Sequence, residues 1–151
     1  MSWFGVVRDN VSKLPDALDY FEAEYIEART ELKVRGSVDK QSADLPGIVE
    51  QRFAQLQELE AILEHFNILL RQTRSKVYRK YLETYNKSLS STDVNRYVEG
   101  EDDVVQYNNL VNEVALMRNK WIGITKGLDQ KAWQLGNLTR LKCAGMDDFK
   151  I

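Results

Sequence analysis

From Ile48 to about Asn86 no proline or glycine interrupts the chain, and Val49, Leu56, Leu63, Leu70 and Val77 return every seven residues, with Leu59, Ile62, Phe66 and Leu69 on the same side. Apolar positions at this spacing mark one face of a long helix of coiled-coil character. The stripe thins after Leu70, so the last turns are expected to project past the packed core. A second pattern runs from about Asp103 to Leu141, where Tyr107, Leu110, Val114, Met117, Trp121, Ile124, Leu128, Leu135 and Leu138 alternate by three and four, the last gap bridged by Lys131. A first helix is expected over 14–35: Leu18, Phe21, Tyr25, Ala28 and Leu32 share a face, Pro15 suits the first helical position, and Asp16, Asp19 and Glu22 favour the positive end of the helix dipole. Between these, GSVDKQSADLPG (36–47) is polar and punctuated and reads as a loop. SLSSTDVNRYVEGEDD predicts a short helix over 92–98, followed by acids that open the next one.

These patterns predict an all-α fold, a single domain over 1–151, in which the helices 48–86 and 103–141 lie antiparallel as a helical hairpin or bundle. Each would be about 60 Å long at about 1.5 Å per residue, too long for its stripe to be hidden in one small ball. The leftover apolar surface is therefore expected to bind other copies, with Leu110, Val114, Met117, Trp121, Ile124, Leu128, Leu135 and Leu138 as the oligomerisation residues. Gly123 and Gly127, four apart on one helix face, predict a close backbone crossing.

Composition narrows the function classes. The apolar runs fall far short of the ~20 residues of a membrane span, and MSWFGVVRDN has no cationic segment followed by an apolar core, so neither membrane insertion nor secretion is expected. Cys143 is the only cysteine, which excludes an intramolecular disulfide and a thiolate cluster and suits a cytoplasmic setting. His65, the only histidine, has no second ligand at metal spacing and reads as structural. Phosphate-binding glycine loops, nucleophile elbows and zinc-protease motifs are absent, the carboxylates of EGEDD match no ion-binding loop, and Cys143 reads as an inert thiol. No catalytic residue, metal or cofactor is expected.

Charge changes the picture most. Residues 1–70 hold 7 basic and 13 acidic side chains, residues 71–151 hold 14 and 10, and RQTRSKVYRKYLETYNK (71–87) packs six cations against one acid with three interleaved tyrosines. Arg71, Arg74, Lys76, Arg79, Lys80 and Lys87 are candidates to neutralise phosphates, and Tyr78, Tyr81 and Tyr85 to stack on unpaired bases. That combination suits single-stranded nucleic acid. A weaker basic series, Arg118, Lys120, Lys126, Lys131, Arg140 and Lys142, lies along the last helix.

The order of features resembles the phage recombination mediator proteins of the UvsY type: an N-terminal helix, a long helix ending in a basic and aromatic cluster, a Ser/Asp/Arg/Tyr linker, and a long amphipathic helix bearing tryptophan. The likeness is carried by RKYLETY at Arg79 to Tyr85, STDVNRY at Ser91 to Tyr97, and the helix around Trp121, over roughly residues 48–145. The resemblance implies a cytoplasmic helical homo-oligomer that binds single-stranded DNA through the basic cluster, loosens a single-strand-binding protein and helps load a RecA-like recombinase. It implies Arg79 and Lys80 as phosphate contacts and a C-terminal helix that assembles the oligomer. The competing expectation is a helical structural or adaptor protein that homo-oligomerises through its stripes, its basic stretch meeting the acidic half of a neighbour.

Overall fold

The computed structural model describes residues 2–84 and 89–146. It is all-α: helices α1 (Trp3–Asp9), α2 (Leu14–Glu31), α3 (Val38–Thr84), α4 (Ser91–Gly100) and α5 (Asp102–Cys143), a 3-10 turn at Val11–Lys13, and no strand among the described residues. At 47 and 42 residues, α3 and α5 dominate the molecule.

The chain's first turns were not foreseen as helix. The seven residues of α1 are too few to stand alone, and a partner distant in sequence holds them. Glu58 on α3 accepts hydrogen bonds through Oε1 from the Ser2 hydroxyl at 2.7 Å and the Phe4 amide at 3.0 Å. This places a carboxylate at the positive end of α1, where it satisfies one of the orphan amides. Asn10 then caps the 3-10 turn, its Oδ1 accepting from the Ser12 amide at 3.1 Å, and α2 begins at Leu14, which puts Pro15 at the second helical position rather than the first.

The expected loop over 36–47 is mostly helix, because α3 begins at Val38 and carries Pro46 inside it. Gly36, at φ +78°, turns the chain, and the Ser37 hydroxyl accepts from the Lys40 amide at 3.4 Å. An interior proline forfeits a helical hydrogen bond and costs about 3 kcal/mol in isolation. Here the turns before it are held by Val38 and Leu45, both buried in the main core, and the turn after it by Ile48 and Val49, partly buried against that core. Burial of two aliphatic side chains offsets the cost at about 1.5–3 kcal/mol each.

Helices α3 and α5 make the most extensive contact in the molecule, with α2 packed on α5 and α1 on α3. The contacts step in opposite directions along the two long helices: Leu70 clusters with Val104, whereas Arg52, earlier on α3, lies over Trp121, later on α5. The main core gathers Phe21, Leu59, Ile62, Phe66, Trp121 and Leu128 among others, with Phe21 meeting Trp121 edge-on at 6.3 Å. A smaller core of Leu70, Val94, Val98 and Val104 forms where α4 folds back on α3.

One buried cation ties α2 to this frame. Arg52, 1% exposed, donates to Glu31 through Nε and Nη2 at 2.8 and 2.6 Å, and through Nη1 to Glu24 at 2.8 Å and Gln55 at 2.9 Å. The Gln55 amide, donating at 2.9 Å, together with Arg52 holds the Glu24 carboxyl below its ordinary range, and hydrogen bonding to Glu31 holds the Arg52 guanidinium above its own. Lys131, in register with the apolar stripe, is buried and donates at 2.6 Å to the Glu31 main-chain carbonyl, capping the C-terminus of α2, and burial pushes its ammonium pKa down.

The glycine pair does not mark a backbone crossing. A Cβ on Gly123 would meet nothing within 4 Å, and one on Gly127 would lie 2.8 Å from the Leu32 side chain. Only Gly127 answers to a neighbour, and that neighbour is a flexible side-chain end.

Candidate nucleic-acid interface

The basic segment occupies the last turns of α3, and these turns do not project free of the core. Val77, Tyr78 and Tyr81 pack against the smaller core, so α4 covers the stripe beyond Leu70. Ser90 caps α4 by accepting from the Asp93 amide at 3.2 Å. The apolar face of this short helix, Val94 and Val98, then closes on α3.

Packing divides the candidate residues. Tyr78 and Tyr81, expected as stacking platforms, are half-buried; Tyr81 donates its hydroxyl to Glu101, and its ring stacks on Tyr97 with centroids 5.7 Å apart. Arg71 pairs with Glu64 at 2.9 Å. Arg74 Nε lies 2.9 Å from Glu99 Oε1, a coulombic contact, while the directed hydrogen bonds run from Nη2 to Glu99 at 3.3 Å and Asn108 at 3.4 Å. Lys76, Arg79 and Lys80 are exposed and have no carboxylate partner among the described residues. Tyr85 and Lys87 lie outside the described residues.

The three cations point away from α4, because side chains three and four apart share a helix face and the apolar positions occupy the other one. On that face Gln72, Ser75, Lys76 and Arg79 line an open groove of about 460 Å³ with Tyr107 of α5 on its far side. A second opening of about 360 Å³ adjoins it, sharing Thr73, Lys76 and Tyr107 and reaching Val11, Asp103 and Leu110. A strip of unpaired positive charge beside an aromatic ring can hold a polyanion carrying flat bases. Sequence periodicity assigned Tyr107 to the apolar stripe of α5, which it does join; its place on the groove wall depends on the pairing of α3 with α5.

The residues expected to assemble an oligomer lie inside the subunit. Val114, Met117, Trp121, Ile124, Leu128 and Leu135 are buried in the main core, and Leu110 and Leu138 are partly buried against it. Helices α2 and α3 together cover the stripe of α5. The apolar side chains left outside are others, among them Ile26, Leu116 and Trp133, the last 69% exposed.

No group of three or more His, Cys, Asp and Glu among the described residues is arranged to hold a metal ion, and no described helix is long and apolar enough to cross a membrane. His65 is half-buried with its ring edge-on to Phe66, Glu101 occupies the N-cap position of α5 without a side-chain capping bond and Asp102 and Asp103 stand in the first turn, and Cys143 is exposed at the end of α5. No protein-family model, no curated protein and no solved structure matches the chain.

Proposed function

We propose that the protein is a non-catalytic, single-stranded DNA-binding recombination mediator that helps load a RecA-like recombinase. The observation that carries the DNA-binding part is the set of three exposed cations on the last turns of α3, Lys76, Arg79 and Lys80, left without carboxylate partners among the described residues, the first two lining the groove. Cations held near one another without internal partners attract a polyanion, and each phosphate neutralised releases counterions. The mediator role, the recombinase and the single-strand-binding protein as partners, and the cytoplasmic setting rest on the resemblance of RKYLETY and STDVNRY. In this reading α3 and α5 form a helical hairpin that homo-oligomerises through outward apolar side chains such as Leu116 and Trp133 rather than through the buried stripe.

The test is fluorescence anisotropy of a labelled oligo-dT with the full chain at two salt concentrations. Binding largely independent of base sequence, weakening linearly with log salt at about 0.7 per phosphate contacted, is the expected result. No binding at 50 mM salt removes the reading. A structural or adaptor protein is then the better account, favoured by the exposure of Trp133 and Leu116.

A further inference from the structure

We propose that the nucleic-acid strand crosses the groove between α3 and α5, with Tyr107 as its base-stacking platform and Lys76 and Arg79 as its phosphate contacts. This deepens the single-strand reading above and rests on it. Tyr107 lines both adjoining openings and is packed against both apolar cores, so its ring is anchored from behind at the place where the two spaces meet. A ring held by packing loses little freedom when a base lies on it, which makes it a better platform than a mobile one. Tyr78 and Tyr81 are engaged elsewhere, the first in the α4 contact and the second with Glu101 and Tyr97.

The charges around the ring give the path a direction. Lys76 and Arg79 stand about one helical turn apart on the α3 wall, while Asp103 lines the α5 end of the adjoining opening. Phosphates therefore run along α3, and the bases turn inward to Tyr107. An opening of about 460 Å³ falls in the size range of sites that take small molecules and single nucleotide units. Asp103 repels the backbone at its end of the groove, so removing its charge should tighten binding.

Anisotropy with the full chain tests this using two probes, labelled oligo-dT and an abasic oligomer of equal length that has the phosphates without the bases. Tyr107→Leu, which keeps apolar packing, should weaken oligo-dT by about 5- to 100-fold, with the salt slope and abasic binding unchanged. Lys76→Ala with Arg79→Ala should weaken both probes and flatten the slope, and Asp103→Asn should tighten both by about 2- to 3-fold. A folded Tyr107→Leu that binds oligo-dT as the unmodified protein does would overturn the proposal while leaving single-strand binding intact. Failure of the unmodified protein to bind oligo-dT overturns the underlying reading instead. Photo-crosslinking of the unmodified protein to an oligomer carrying 5-bromodeoxyuridine needs no variant: adducts at Tyr107 support the path, and adducts confined to other tyrosines refute it. Displacement of oligo-dT by polyglutamate at equal charge concentration would also refute it, because the groove would then recognise an acidic chain without reading bases.

Discussion

Arg52 and Arg79 lie on the same helix and have opposite surroundings. Arg52 is enclosed by α2 and α5, with two carboxylates and an amide oxygen engaging four of its five N–H donors and the Trp121 ring 5.9 Å from its guanidinium carbon. Arg79 stands in solvent on a groove wall without a carboxylate partner among the described residues. One region uses positive charge to join three helices, and the other leaves positive charge available. The difference follows from what packs on each side of α3: at its first half α2 brings Glu24 and Glu31, whereas α4 covers only the opposite side of its last turns. A buried charge must be paired, and an exposed one need not be.

Breaking the buried end should have the largest effect. Arg52→Ala leaves Glu24 and Glu31 uncompensated and should cost about 3–5 kcal/mol, lowering the unfolding midpoint by roughly 10 °C in thermal denaturation followed by circular dichroism. Loss of less than about 1 kcal/mol would mean that Arg52 is not committed to α2.

The open end should respond oppositely. Replacing Lys76, Arg79 and Lys80 together by Ala should change stability by no more than about 0.5 kcal/mol per site, while the slope of log affinity for oligo-dT against log salt falls by about 2. Substantial unfolding of this variant would show these cations to be structural, and the contrast with Arg52 would collapse.

Acid should act on the buried end. Glu24 is held below its ordinary pKa of 4.5, so its contribution is fully present above that value and is lost as pH falls through the depressed one. Unfolding free energies from denaturant titrations at neutral pH and near pH 3 should differ less in Glu24→Gln than in the unmodified protein, by about 1 kcal/mol. An equal acid dependence in both would detach Glu24 from the network. Lys131 acts with the same sign in another window: its lowered pKa means that stability rises with pH between the folded value and 10.5.

The smallest effect belongs to the exposed ion pair. Arg71 and Glu64 retain 66% and 60% of their side-chain exposure, so Glu64→Gln should cost less than about 1 kcal/mol, and less still at high salt. The freed Arg71 should then strengthen oligo-dT binding slightly, provided that the strand reaches it.

Much of the architecture is written into the chain. The periodicity of α2, α3 and α5 marks their apolar faces, Pro15 and the acids after Val98 mark two starts, and the cation-rich segment marks the candidate site. These features depend on neighbours within a turn or two, which sequence spacing reports directly. What only the tertiary structure decided is which partner each face meets. Glu58 made a helix of the first turns, burial of Val38 and Leu45 carried α3 through Pro46, and α2 turned the expected oligomer stripe into internal core. Above all, α4 claimed Tyr78 and Tyr81 while the pairing of α3 with α5 placed Tyr107 beside Lys76. Such contacts join residues far apart in the chain, and local pattern carries no information about which distant surface will exclude water from them.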